Sequence, residues 1–139
     1  MRFAFQRLRL FDGGLDIPRP ILRVRVKGPR RSALADVLVD SGASDMMFPR
    51  TFLEGLGVLF SGEKCEASSF CGERHEADVG TVGLQFGGGY FELTTRVLAF
   101  HGKCIPVLGL RDFFNRYLVA FDAGALSLFI SEPRRPPLH

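Results

Sequence analysis

Two apolar arms rich in β-branched and aromatic residues, Val79–Phe86 and Tyr90–Phe100, flank Gly87-Gly88-Gly89. Such residues fit a pleated, half-buried surface, and consecutive glycines permit the positive φ angles of a tight reversal. The segment therefore predicts a long β-hairpin. A chain that commits this much of its length to one hairpin has to build its core around a sheet. The glycine run does not read as a phosphate loop, because neither a following helix nor a Lys-Ser/Thr pair accompanies it.

The remaining segments carry the same signature. Phe3–Leu10 alternates and stops at Asp12-Gly13-Gly14, and Pro20–Val26 places Leu22, Val24 and Val26 on one face. Lys27-Gly28-Pro29-Arg30 turns the chain, and Ala33–Val39 returns beside it. Pro49–Leu56 suits a short helix or turn, with Pro49 near its first position. From Ser68 to Phe100 the pattern is again β. Arg111–Tyr117 is the better helical candidate, and Leu118–Asp122, a Gly124 turn and Leu126–Ile130 close the sequence. Pro133-Arg134-Arg135-Pro136-Pro137 cannot pair as a regular strand. The expectation is one mainly-β domain over residues 1–131 and a Pro/Arg-rich tail over 132–139. A weak internal echo, strand to glycine turn to short helix, links Val37–Phe52 with Ile105–Tyr117.

Composition narrows the function. A chain of 139 residues with 46% hydrophobic content suits one globular domain and not a disordered one. No apolar run approaches the ~20 residues of a membrane span. Met1–Arg9 alternates apolar and basic residues and has no signal-peptide core. Three cysteines, Cys65, Cys71 and Cys104, are an odd and sparse set, which suits a reducing compartment better than a disulfide framework. The chain is expected to be soluble and cytoplasmic, without a membrane partner. Its formal charge is +3. The basic clusters Lys27–Arg31 and Arg134-Arg135 are broken by Gly or Pro and lack an aromatic platform, so no nucleic-acid partner is expected.

The chemistry is concentrated in Val37-Leu38-Val39-Asp40-Ser41-Gly42-Ala43-Ser44-Asp45. An acid at the end of a buried strand is desolvated unless hydrogen bonds hold it. Ser41 can donate from its hydroxyl, and Gly42 lets backbone N–H groups turn toward the acid. An ordinary Asx-turn fits the triplet as well. A second mark lies further on, Pro106-Val107-Leu108-Gly109-Leu110-Arg111-Asp112-Phe113-Phe114, two apolar residues and a glycine leading into a helical stretch. In this order and spacing the two marks resemble the retropepsin family of single-domain aspartic proteases. The likeness spans roughly Pro20 to Ile130. It implies a closed β-barrel or sandwich of the acid-protease type with one short C-terminal helix, assembled as a homodimer.

The resemblance also implies roles. Asp40, Ser41 and Gly42 form the catalytic triplet, with Ser41 bracing the paired loops and Gly42 close to the substrate backbone. Peptide or protein substrate is met by Ala43, Ser44 and Asp45. A closing hairpin, Ala67–His75, brings Phe70 and Cys71 with Gly72 at its tip, and Val107 and Leu110 wall an apolar pocket. No cofactor is implied. Aspartic proteolysis needs two carboxyl groups around one water, and each chain has one Asp-Ser-Gly, so Asp40 has to meet Asp40 of a second copy. Two places depart from the family pattern. Family members often carry an acid directly after Asp-Thr-Gly-Ala and an arginine after the second glycine. Ser44 and Leu110 hold those places here, with Asp45 and Arg111 each one residue later, which suggests a shifted pair. The proline-rich end also makes a poor strand for a shared terminal sheet.

Other chemistries fit less well. Cys65, Cys71, His75, His101 and Cys104 are zinc-ligand types without the spacing of a tight structural site. No metal is expected. Cys104 with His101 lacks an orienting acid, and Ser41 lacks the Gly-x-Ser-x-Gly of a serine nucleophile. The alternative from a different class is a non-catalytic peptide-binding or dimerisation module on the same fold.

Overall fold

The triple glycine does reverse the chain. In the computed structural model Gly87, Gly88 and Gly89 take φ of 63°, 66° and 90°, and the Tyr90 N–H donates to the Gly87 carbonyl at 3.2 Å. The model describes residues 1–7, 17–68, 74–102 and 105–133. The reversal joins the two longest strands, Arg74–Phe86 and Phe91–Phe100, paired antiparallel from Asp78↔Ala99 to Phe86↔Phe91.

In chain order the strands are β1 Arg2–Ala4, β2 Gln6–Arg7, β3 Pro18–Arg19, β4 Ile21–Lys27, β5 Ser32–Val39 and β6 Met47–Pro49. The helix α1, Arg50–Gly55, follows β6. Then come β7 Lys64–Ser68, β8 Arg74–Phe86, β9 Phe91–Phe100, β10 Val107–Leu108, β11 Leu118–Asp122 and β12 Ser127–Ser131. The main sheet has seven strands in the order β4-β5-β10-β6-β9-β8-β7. β4 also pairs with β8, Arg25–Lys27 opposite Gly83–Gln85, so the hydrogen-bonded order turns back on itself. A second sheet has three strands, β1-β12-β11, and β2 pairs with β3. The molecule is mainly β.

The alternation read from β4 sorts its side chains as expected. Leu22, Val24 and Val26 are buried, and Arg23, Arg25 and Lys27 point to solvent. They pack with Val37, Val39, Phe48, Leu84 and Leu108 into the main core, which extends to Leu128 and Ile130 of the smaller sheet. Phe86 anchors an aromatic group: it stacks on Phe91 at 4.8 Å and meets Phe113 and Tyr117 at 5.9 and 5.7 Å. Offset and edge contacts of this kind add roughly 0.5–1.5 kcal/mol per pair beyond area burial.

Two elements differ from the sequence expectation. The single N-terminal strand is split: β1 pairs with β12 and β2 with β3, and between them the Phe5 N–H donates to the Leu126 carbonyl at 2.7 Å. The helix expected at Arg111–Tyr117 is a kinked helical turn, because Arg111 (ψ 131°) and Asp112 (φ 64°) leave helical geometry. Long-range bonds from Asp112 hold that kink, as described below. Among the described residues the regular helix is α1, and Pro49 stands at its N-cap, just before the first helical residue, in extended geometry (φ −58°, ψ 135°). Among the described residues no helix is long and apolar enough to cross a membrane.

Candidate active site

Asp40 sits one residue beyond the last buried position of β5. Two apolar strands hold it there. β10 runs parallel to β5, Val107 opposite Leu38 and Leu108 opposite Val39. The ladder continues one step further, with the Asp40 N–H donating to the Leu108 carbonyl at 3.0 Å. On the other side the Val39 N–H donates to the Pro20 carbonyl at 2.9 Å. The strand that delivers the acid is thus gripped from both sides up to the acid itself.

Beyond Asp40 the backbone folds back on its own carboxylate. The Gly42 N–H donates to Asp40 Oδ1 at 2.8 Å, and the Ala43 N–H to the Asp40 carbonyl at 3.2 Å. A Cβ on Gly42 would lie 3.1 Å from Asp40 Oδ1, tighter than ordinary contact. Glycine therefore permits the close approach of this backbone to the carboxylate.

The second mark in the sequence locks onto the first. The Leu110 N–H donates to the Ala43 carbonyl at 2.8 Å, and the Arg111 N–H to the Ser44 carbonyl at 2.9 Å. Gly109 lies at the crossing, where a Cβ would come within 2.5 Å of the Asp45 carbonyl oxygen. Arg111 Nε is 2.8 Å from Asp45 Oδ1, so the one-residue shift on both sides does preserve an acid–arginine pair. The contact is an ion pair without hydrogen-bond alignment, since Asp45 Oδ1 is buried and no donor points along its lone pairs. Oδ2 of the same carboxylate accepts from Ser44 Oγ at 3.2 Å.

The candidate residues fall into three groups. Asp40, Ala43, Asp45 and Val107 are half-buried around the interlocked loops, and Ser41, Gly42, Ser44 and Leu110 are exposed there. Phe70, Cys71 and Gly72 lie outside the described residues, but the arms that lead to them are paired, from Lys64↔Asp78 to Ser68↔Arg74. These arms have two unlike faces. Lys64, Glu66, Glu76 and Asp78 share one face, with Lys64 3.7 Å from Glu76. Cys65, Ala67 and Ala77 share the other, and they pack with Val79, Leu98, Met47 and Phe100. Cys71 and Cys104 also lie outside the described residues, and among the described ones no three His, Cys, Asp or Glu groups converge as metal ligands.

Sequence reading missed three features. Met47 pairs with Val107 across the sheet and belongs to the apolar cluster under the hairpin arms. The only signal was the alternation in Met46-Met47-Phe48, where Met46 and Phe48 are buried and Met47 is half-buried. Asp112 closes the kinked turn from below: its Oδ2 accepts the Arg96 N–H at 3.2 Å and lies 2.9 Å from the buried Thr95 hydroxyl. Arg50, first residue of α1, contacts Asp78 at the root of the hairpin and lies over the Phe60 ring at 4.3 Å.

No family model matches this chain, and no curated protein matches it. Among solved structures it is similar to the simian foamy virus (mac) protease, seen in solution, at 22% identity and a TM-score of 0.46, over 66% of this chain and 89% of that one. It is also similar to EIAV protease complexed with the inhibitor HBY-793, at 19% identity and a TM-score of 0.46, over 66% of this chain and 81% of that one. At such identities and scores the site has to be read from its own residues.

Proposed function

We propose that this chain is an aspartic endopeptidase of the retropepsin-like type, active as a homodimer in which two Asp40 carboxylates share one water. The observation that carries the reading is the interlock of the two loops. Asp40 accepts from the Gly42 N–H, its strand is held by Leu108, and the loop beyond is fixed by Leu110 and Arg111. A carboxylate fixed so firmly at the open end of a strand suits a task that depends on its position. In the dimer the two acids are too close for both to ionise, so the pair keeps one proton. The ionised member takes a proton from water as it attacks the peptide carbon, and the protonated member donates to the carbonyl oxygen.

Substrate would lie extended beneath the hairpin of β7 and β8, whose apolar face already packs near Met47. Val107 and Leu110 flank the Gly109 crossing and favour apolar side chains next to the cut. Ser41 would brace the two loops across the dimer axis.

The test is cleavage of a diverse peptide library by wild type and Asp40→Asn, from acid to neutral pH. The proposal expects cuts by wild type that fall by at least ~10²–10⁴-fold in the variant, the usual contribution of a positioned acid or base. A second reading, a peptide-binding module without turnover, has one observation in its favour: the Gly42–Asp40 bond is also that of an ordinary Asx-turn. Equal peptide affinity for both proteins with no cut by either would establish that module and end the protease reading.

A further inference from the structure

We infer that a cleft between the β4–β5 turn, the segment after α1 and strands β8 and β9 binds a singly charged carboxylate carried on an apolar group. The cleft has a volume of about 360 Å³, inside the ~300–1,000 Å³ usual for small-ligand sites. None of its lining residues belongs to the loops around Asp40, so the site is separate from the proposed proteolytic one. Gly80 is what lets the walls close. A Cβ there would lie 2.8 Å from Val58 Cγ1. Without it the segment after α1 settles on β8, where the Ser61 N–H donates to the Val79 carbonyl at 2.9 Å.

Arg96 supplies the charge. It stands opposite Thr81 in the β8–β9 ladder, with 28% of its side chain exposed. Its Nε is buried and has no acceptor. Among the described residues its side chain pairs only with Glu63, which lies 3.7 Å from Nη1, beyond hydrogen-bond reach. Arg23 shows what the corresponding edge does when it is satisfied: Nε donates to Asp36 Oδ1 at 2.9 Å and Nη2 to Oδ2 at 3.2 Å. A guanidinium buried as deeply as that of Arg96 normally commits this edge to an acceptor, and a carboxylate is the acceptor whose geometry matches it. Glu63 is 60% exposed, with room to swing outward as a ligand carboxylate takes its place.

The rest of the lining selects the ligand. Ser61 Oγ accepts from the Glu63 N–H at 3.2 Å, which leaves its own proton to donate. Pro29 and Leu59 supply apolar wall, and Leu59 is 84% exposed. A cation and a hydroxyl beside apolar wall suit a molecule that joins an apolar group to an anion. Valence follows from Glu63. One acid beside one arginine leaves the cleft neutral, so a phosphate dianion would bring uncompensated charge, whereas a carboxylate replaces Glu63 charge for charge. The C-terminal residue of a peptide and a free branched acid share this chemistry.

The test follows backbone amide shifts by heteronuclear NMR as N-acetyl-leucine, N-acetyl-leucinamide or isocaproate is added to the full chain. Saturable shifts at Thr81 and Arg96 are expected with N-acetyl-leucine. Its amide, which lacks only the charge, should bind at least ~10-fold more weakly. Arg96→Gln should weaken the acid by ~10-fold or more. That variant keeps the bond to Asp112, which comes from the backbone N–H. Glu63→Gln removes the competing anion and should tighten binding by roughly two- to fivefold. Equal affinity for isocaproate assigns the cleft to free apolar acids, and a preference for N-acetyl-leucine assigns it to peptide termini; either supports the site. Acid and amide that bind alike to wild type overturn the carboxylate assignment, whether or not the variants fold. No saturable shift with either acid overturns the site itself, and none of these results bears on Asp40.

Discussion

A methyl group on Gly109 would sit 2.5 Å from the Asp45 carbonyl oxygen and 2.7 Å from that of Ala43. Both are backbone atoms of the loop that carries Asp40, so neither can move without moving the acid. Gly109→Ala should cost ~1–3 kcal/mol, the usual range for overpacking, and chemical denaturation will measure it. Asp112 offers a contrasting case. Its φ of 64° suits asparagine, which tolerates that region and retains an acceptor oxygen. Asp112→Asn should therefore stay near wild type, and Asp112→Ala should lose ~1–3 kcal/mol by removing the acceptor of the Arg96 N–H and leaving the Thr95 hydroxyl only the Arg96 carbonyl. Tyr117 supplies a pH dependence. Burial pushes its hydroxyl above the ordinary 10.0, with Arg116 opposing. The unfolded chain thus ionises first, and the stability tied to the neutral hydroxyl is present below about pH 10 and lost as pH rises beyond it. Tyr117→Phe should narrow its stability difference from wild type above pH 10, as unfolding at stepped alkaline pH will show. Asp40 and Gly109 were legible in the sequence because each lies in a local pattern. Asp112 was not, since its partners Thr95 and Arg96 lie far away in the chain.

Among elements, the legible ones were those long enough to show a period. The β8–β9 hairpin and the β4–β5 pair follow their alternation almost to the residue, because one buried face fixes the register. β10 has two residues and β6 has three, too few for any period, yet they carry the ladder from Leu38 through Val107 and Met47 to Leu98. Only tertiary pairing defines them. The break at Phe5 was hidden for a similar reason, because a change of partner leaves no mark on alternation. The ion contact between Arg50 and Asp78 ties α1 to the root of the β7–β8 hairpin. Arg50→Met should leave Asp78, 16% exposed, without its main cation. Loss of ~1–2 kcal/mol locally would speed amide exchange in β7 by roughly tenfold; unchanged exchange would mean that the hairpin root is held by its apolar face alone.

At the scale of the molecule, one chain supplies one Asp40 carboxylate, held by the Gly42 N–H, and a three-stranded sheet in which β1 pairs with β12. A shared dyad turns activity into a second-order property: specific activity should rise with protein concentration until the dimer saturates. The mainly-β class and the two glycine marks could be read from the sequence, since both reside in local patterns, whereas the backbone interlock between those loops could not, because Ala43 and Leu110 lie far apart in the chain. The way the termini close could not, because an edge strand and an interior strand read alike.

The most direct test of the shared carboxylate is to titrate Asp40→Asn chains into a fixed amount of wild type under dimer-forming conditions. With free exchange and equal amounts of each, only about a quarter of dimers carry two native acids. Activity per wild-type chain should therefore fall to about half, and keep falling as more variant is added. Activity that stays constant at every ratio would mean that one chain cuts alone, and would contradict the account.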